Sequence, residues 1–256
     1  MSLFKKMLAT IRIGSAKVDT RLENTKYHQG EEVKGVIHIQ GGDVEQKIGD
    51  VYIKVYTQYL QKIDDHKVYK KKELLRYKVK GEFLLGKDEV LEIPFTFHLP
   101  HEVPITIGQV KVWIHTELGI DLAIDPIDKD YISISPSPVM EAFFAALESL
   151  GFRIYKAECK HAKYRYGSSL PFLQEFELKP YHGEFHNRLD EIEVTLLNQN
   201  ESQAEVYLQI DRKARGMSGL LSEILDTDET NLRMILTKSD IPYMKQKIRE
   251  LLHRHS

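Results

Sequence analysis

The sequence predicts an all-β protein with accessory helices, arranged as two tandem antiparallel β-sandwich domains. Three observations carry this. Apolar residues alternate with polar ones at period 2 through most of the chain, the mark of half-buried strands. Glycine and proline turns, rather than helices, separate those stretches, which excludes a βαβ fold. A Ser-Pro-Ser-Pro segment at 135–138 breaks the series once, and strand patterns resume after it.

The first residues differ from the rest of the chain. Leu3, Phe4, Met7, Leu8 and Ile11 fall at helical spacing, with Lys5 and Lys6 beside them, so residues 1–13 read as a short basic amphipathic helix. The first sandwich, 14–136, then shows five alternating runs. They are Val33 to Ile39, Val51 to Tyr59, Leu75 to Phe83, Leu91 to Leu99 and Val110 to Thr116, punctuated by Gly30, Gly41-Gly42, Gly86-Lys87-Asp88 and Pro100 to Pro104.

Ser137 is placed to cap a helix whose first residue is Pro138, and Gly151 to end it. Val139, Met140, Phe143, Phe144, Leu147 and Leu150 are apolar around much of this connecting helix (138–150), which predicts burial on more than one side. The second, divergent sandwich (137–238) shows runs at Tyr155 to Cys159, Phe172 to Leu178, Ile192 to Leu196 and Val206 to Ile210, the last two joined by a hairpin loop at Asn198 to Ser202. Leu220, Leu221, Ile224 and Leu225 suggest a short helix. A final amphipathic helix at 239–256 carries Ile241, Met244, Ile248, Leu251 and Leu252 on one side and basic residues on the other.

Composition narrows the function. A net charge of -2 argues against a nucleic-acid binder, and the single cysteine, Cys159, excludes an intramolecular disulfide and suits a reducing cytoplasm. No apolar run nears the roughly 20 residues that span a bilayer, and residues 1–17 lack the apolar core and cleavage site of a signal peptide. No phosphate-cradling glycine loop and no Gly-x-Ser-x-Gly elbow occurs. Cys159 lies in a strand pattern, where a buried, inert thiol is expected.

His182, Glu184 and His186 are spaced to share a face of an extended strand and so to hold a metal weakly. Pro180 and Gly183 disfavour the helix a zinc pair needs, and ordinary hydrogen-bonding histidines are the preferred reading. The carboxylate clusters Asp64-Asp65, Asp190-Glu191 and Asp226 to Glu229 read as solvated loops. The basic run Lys70-Lys71-Lys72, with Tyr69 and Tyr77, reads as a solvated hairpin edge whose lysines discourage edge-to-edge pairing. No catalytic residue, metal or cofactor is therefore expected.

Two features stand out against this background. The N-terminal helix can dock on its own sandwich, on a second subunit or on an anionic membrane surface. The C-terminal helix has the same options, with packing on the second sandwich preferred. The candidate protein- or membrane-contact residues are thus Leu3, Phe4, Lys5, Lys6, Met7, Leu8, Ile11, Met244, Ile248, Leu251 and Leu252.

A family resemblance adds to this reading. Ile93-Pro94-Phe95-Thr96-Phe97-His98-Leu99-Pro100, then Gly108 and Val112-Trp113-Ile114, resembles the pattern of arrestin-like N-domains. Phe4-Lys5-Lys6, Ile13 to Thr20, Val33-Lys34-Gly35, Thr116 to Ile120, Gly183-Glu184-Phe185, Leu189 to Glu193 and Asp211-Arg212 are together similar to the stage-zero M sporulation-control protein family of spore-forming bacteria. The resemblance implies a two-sandwich arrestin-like fold and a role in controlling entry into sporulation, with no catalytic residues to carry over. Together with the lone cysteine and the two apolar-faced terminal helices, the expectation is a cytoplasmic, non-enzymatic regulatory scaffold with unidentified protein partners, in a homodimer or a partner-bound complex. A peripheral membrane adaptor using the N-terminal helix is the alternative.

Overall fold

A computed structural model describes residues 16–64, 66–120, 127–162, 170–213 and 229–256. The N-terminal stretch 1–13, Asp65 and the short helix expected around 220–225 lie outside the described residues.

The first unit is a two-sheet sandwich. Its smaller sheet has the order β1-β3-β7, from Lys17–Leu22, Glu32–Gln40 and Val90–His98, all antiparallel. Its larger sheet is built on β4 (Gln46–Ile63), which pairs with β5 (His66–Lys80) and β6 (Phe83–Leu85) and with β8 (Val112–Ile120). Beyond β8 come β9 (Ile127–Ser135) and, in parallel with it, β2 (Lys26–His28). The alternating residues meet between the sheets: Val33, Ile37 and Ile39 face Val51, Ile53, Val55, Val112, Ile114 and Leu118, with Phe95 and Phe97 closing the layer. Gly41-Gly42 is not the turn of a hairpin, because β3 and β4 lie in different sheets. It carries the chain across, and a Cβ on Gly41 would lie 2.2 Å from the carbonyl oxygen of Gly86.

The second unit is an antiparallel meander of five strands, β10 to β14: Phe152–His161, Phe172–Pro180, Leu189–Gln199, Gln203–Arg212 and Glu229–Thr237. Among the described residues, the layer facing this sheet is helical. Helix α1 (Pro138–Ser149) starts where Ser137 accepts a hydrogen bond from Met140 N–H, and Gly151 follows its end with φ +97°. A side chain at Gly151 would collide with the His182 carbonyl at 2.0 Å, so glycine is needed there for both conformation and space. Val139, Met140, Phe143 and Leu147 of α1 pack on Phe176, Val194, Val206 and Leu208 of the sheet. A short 3-10 helix (Lys238–Tyr243) then leads into α2 (Met244–Arg254).

The two units are joined along β4. Its last residues outrun β8, and Leu60 pairs in parallel with Lys160 of β10, so one continuous sheet runs through both halves. Tyr59 stacks on Phe172 and His161 at this junction, with ring centroids 5.4 and 6.1 Å apart. Glutamines fix the loop of residues 100–107 across it. Gln174, 4% exposed, accepts from Ile105 N–H (2.8 Å) and donates to the Ile105 carbonyl (2.7 Å); Gln199 donates to the His101 carbonyl. From the other side Gln29 donates to the Val103 carbonyl (2.6 Å) and accepts from Ser137 N–H (3.1 Å). A buried loop leaves backbone polar groups to be satisfied, and these amides satisfy them.

Candidate interaction surface

Residues of β4 that alternate with the core-facing Ile53 and Val55 point out of the sandwich, and they are not the small polar residues of a plain solvated face. Tyr52, Lys54 and Tyr56 stand there, opposite Glu117, His115 and Trp113 of β8. Lys129 and Tyr131 of β9 continue the rows, and Glu73, Arg76 and Lys78 of β5 flank them on the other side. The register places all of these on one face.

Rings and cations interleave across it. Tyr56 and Trp113 stack with centroids 5.9 Å apart, Tyr131 lies 6.1 Å from Trp113, and His115 meets Tyr56 edge-on at 5.7 Å. The ammonium of Lys71 sits 3.7 Å from the Tyr56 ring centroid and that of Lys129 4.3 Å from Trp113. Trp113 and Lys54 are 6% and 5% exposed, whereas Tyr131 is 56% exposed.

Ionic pairs fix the arrangement. Lys54 contacts Glu117 at 2.5 Å, Tyr56 donates to Glu73 (2.9 Å), Arg76 grips Glu73 through two nitrogens (3.0 Å each), and Lys78 meets Asp50 at 2.7 Å. Burial, with the bond to Glu73, pushes the Tyr56 hydroxyl up to about 12, so it stays a donor at any physiological pH. Desolvation, reinforced by Lys71, holds His115 below the ordinary histidine range. The buried Tyr56, Trp113 and Lys54 therefore form a fixed underlayer, and Lys129 and Tyr131 are exposed above it to whatever meets the face.

The structure places the other predicted positions elsewhere. Leu3, Phe4, Lys5, Lys6, Met7, Leu8 and Ile11 lie outside the described residues. Met244, Ile248 and Leu252 are 2%, 1% and 1% exposed within the core of the second unit, and Leu251 is half-buried against it. Met244, Ile248 and Leu252 are thus covered by their own chain, whereas Leu251 keeps part of its surface open.

His182, Glu184 and His186 are not brought together on a strand, because residues 181–188 form turns between β11 and β12. His186 is bonded to the Pro180 carbonyl (2.7 Å). Glu184 accepts from Arg249 through both oxygens (2.8 and 3.1 Å) and meets His253 at 3.0 Å, so it tethers α2. Among the described residues, no cluster of histidine, cysteine or carboxylate groups has the make-up of a metal site. Asp190 and Glu191 lie in β12 and not in a loop. Cys159 is buried, and desolvation raises its thiol far above the ordinary range. Among the described residues, no helix is long and apolar enough to cross a membrane.

Comparison with known proteins places this architecture. The SpoOM protein family model matches residues 4–214. Sporulation-control protein spo0M of Bacillus subtilis (strain 168) is 38% identical over 259 residues, an alignment spanning all of both chains. The crystal structure of Spo0M, sporulation control protein, from Bacillus subtilis matches with a TM-score of 0.83 at 36% identity, covering 95% of this chain and all of that one.

Proposed function

The chain belongs to the SpoOM protein family, and from that premise we propose that it is a non-enzymatic, arrestin-like regulatory scaffold that controls entry into sporulation through protein–protein interactions. The observation that carries this reading is the outer face of β5, β4, β8 and β9. Its rings and cations are held in place by Glu73, Glu117 and Asp50, as a recognition surface requires. Trp, Tyr and Arg are the types that contribute most to protein interfaces, and Tyr52, Tyr131 and Arg76 stand on this face. The name of the Bacillus subtilis relative supplies the process, and its full-length identity supports carrying it over. The basic stretch from Leu3 to Ile11 forms a second docking element in this reading, in the cytoplasm and in a homodimer or partner-bound complex.

The test is complementation. A spore-forming strain lacking its own relative would receive the full chain with Lys129→Glu and Tyr131→Ala, two exposed changes that leave the core untouched. Sporulation frequency should move away from that given by the unmodified chain at equal protein level. An unchanged frequency refutes the assignment of this face.

A further inference from the structure

One strand carries a large local excess of positive charge. β5, His-Lys-Val-Tyr-Lys-Lys-Lys-Glu-Leu-Leu-Arg-Tyr-Lys-Val-Lys, holds seven Lys or Arg against one Glu, a net +6 in a protein whose total is -2. Among the described residues β5 pairs with β4 alone, so its other edge carries backbone N–H and C=O groups that no strand takes up. Lys67 and Lys70 are exposed, Lys72 half-buried, and none of the three has an acidic partner among the described residues. Their neighbours Arg76 and Lys78 are already neutralised by Glu73 and Asp50.

Such an edge repels a second copy of itself, since two copies would oppose lysine to lysine. The same charge attracts a strand of opposite sign. We propose that β5 is a docking edge for an extended, Asp/Glu-rich segment of a partner protein, which adds to the larger sheet as a further strand. The proposal rests on the reading of the protein as an interaction module and names the chemistry of one partner. A peptide suits the edge better than an anionic membrane does. The cations lie along both sides of a single strand, not on one flat face: the register sets Lys70 and Lys72 with the core-facing Tyr59 and Thr57, and Lys71 with the outward Gln58. The hairpin turn that would lead into a bilayer carries Asp64.

The experiment uses the full chain and a fluorescent peptide of about ten residues alternating Glu with Val, at low and at near-physiological salt. Fluorescence anisotropy should show binding that weakens with salt. It should weaken at least about tenfold for Lys67→Glu with Lys70→Glu. It should also be lost for the same peptide N-methylated at alternate residues, which keeps the charge but cannot pair. Lys67→Gln with Lys70→Gln, read beside it, keeps charge loss separate from any effect of reversal on folding. Absence of binding overturns the proposal, as does equal binding of the N-methylated peptide, or a preference for phosphatidylserine vesicles over the peptide. None of these readouts depends on sporulation, so failure here leaves the complementation result to judge the broader reading alone.

Discussion

Replacing Gln174 with leucine tests whether the junction between the two units is held by the side chain that bridges it. Gln174 is nearly fully buried and makes two hydrogen bonds to one residue, accepting from Ile105 N–H and donating to its carbonyl. Ile105 is itself 1% exposed and packs in the core of the second unit, so water has little access to the groups the leucine would orphan. A buried donor or acceptor left unpaired costs about 1–3 kcal/mol, and two cost about 2–6 kcal/mol. Leucine is close in size to glutamine, so burial regains about 1–2 kcal/mol at most. Midway values leave a net loss of about 2–3 kcal/mol, a large share of the roughly 5–15 kcal/mol that holds an ordinary domain. Urea denaturation monitored by circular dichroism and by Trp113 fluorescence would report it, with Gln174→Glu as a partner variant that keeps an acceptor for Ile105 N–H. Limited proteolysis should cut sooner within 100–107. A midpoint within about 0.5 kcal/mol of the parent, with no new cleavage, would refute the view that this amide clamps the loop.

Three further outcomes are expected. Asp130 faces Asp128 and Asp19, and its Oδ2 is buried without a hydrogen-bond partner; burial first, then those charges, raises its pKa to about 6. A carboxyl held above its ordinary value penalises the fold fully above pH 6, and the penalty is relieved as pH falls from 6 toward 4. Asp130→Asn should therefore stabilise by about 1–2 kcal/mol at pH 7.5, a figure reduced for solvent screening, and hardly at all at pH 4.5; equal gains at both values in thermal melts would contradict this. Leu252→Ala removes a buried side chain from α2 and should cost about 2–5 kcal/mol in the same denaturation assay, whereas a surface role for Leu252 predicts almost none. Glu184→Ala should speed amide exchange in α2 by releasing Arg249 and His253 while leaving the exchange of β12 and β13 unchanged.

The strands that were legible in the sequence are those with a complete apolar face. Val33 to Ile39, Ile192 to Leu196 and Val206 to Ile210 alternate cleanly because one side meets the core and the other meets water. β9 was not legible because Asp128 and Asp130 occupy core-side positions in its first half, which removes the alternation that Ile132 and Ile134 later show. β14 was hidden differently: Met234, Ile235 and Leu236 are consecutive apolar residues, a run that does not separate strand from helix by period. β2 has three residues, too few for any periodicity. The helical layer over the second sheet was partly legible, since the circumferential apolar pattern of α1 demanded more than one neighbour, and the neighbours are the sheet and α2.

The candidate surface was harder to see than the fold for a physical reason. A sequence reveals a half-buried strand through its apolar face, so the outward residues enter only as the polar complement of that pattern. Lys54, Tyr56 and Trp113 look like ordinary outward or mixed positions until register sets β8 beside β4 and β5, because the stacking of Tyr56 on Trp113 and of Lys71 on Tyr56 joins residues far apart in the chain. What the sequence does offer is the excess: Tyr52, Lys54 and Tyr56 are large residues on the solvent side of a strand, and Lys70-Lys71-Lys72 is more charge than an edge needs for solubility. The amphipathic helices drew attention for the opposite reason, since their apolar stripes are conspicuous in one dimension. For α2 that stripe is consumed by its own core, as the burial of Ile248 and Leu252 requires. An apolar stripe predicts that something covers it, and only the structure says whether the cover is self or partner; on the charged and aromatic sheet face Lys54, Tyr56 and Trp113 are largely spent on one another and on Glu73 and Glu117, and the exposed Lys129 and Tyr131 are what it leaves for a partner.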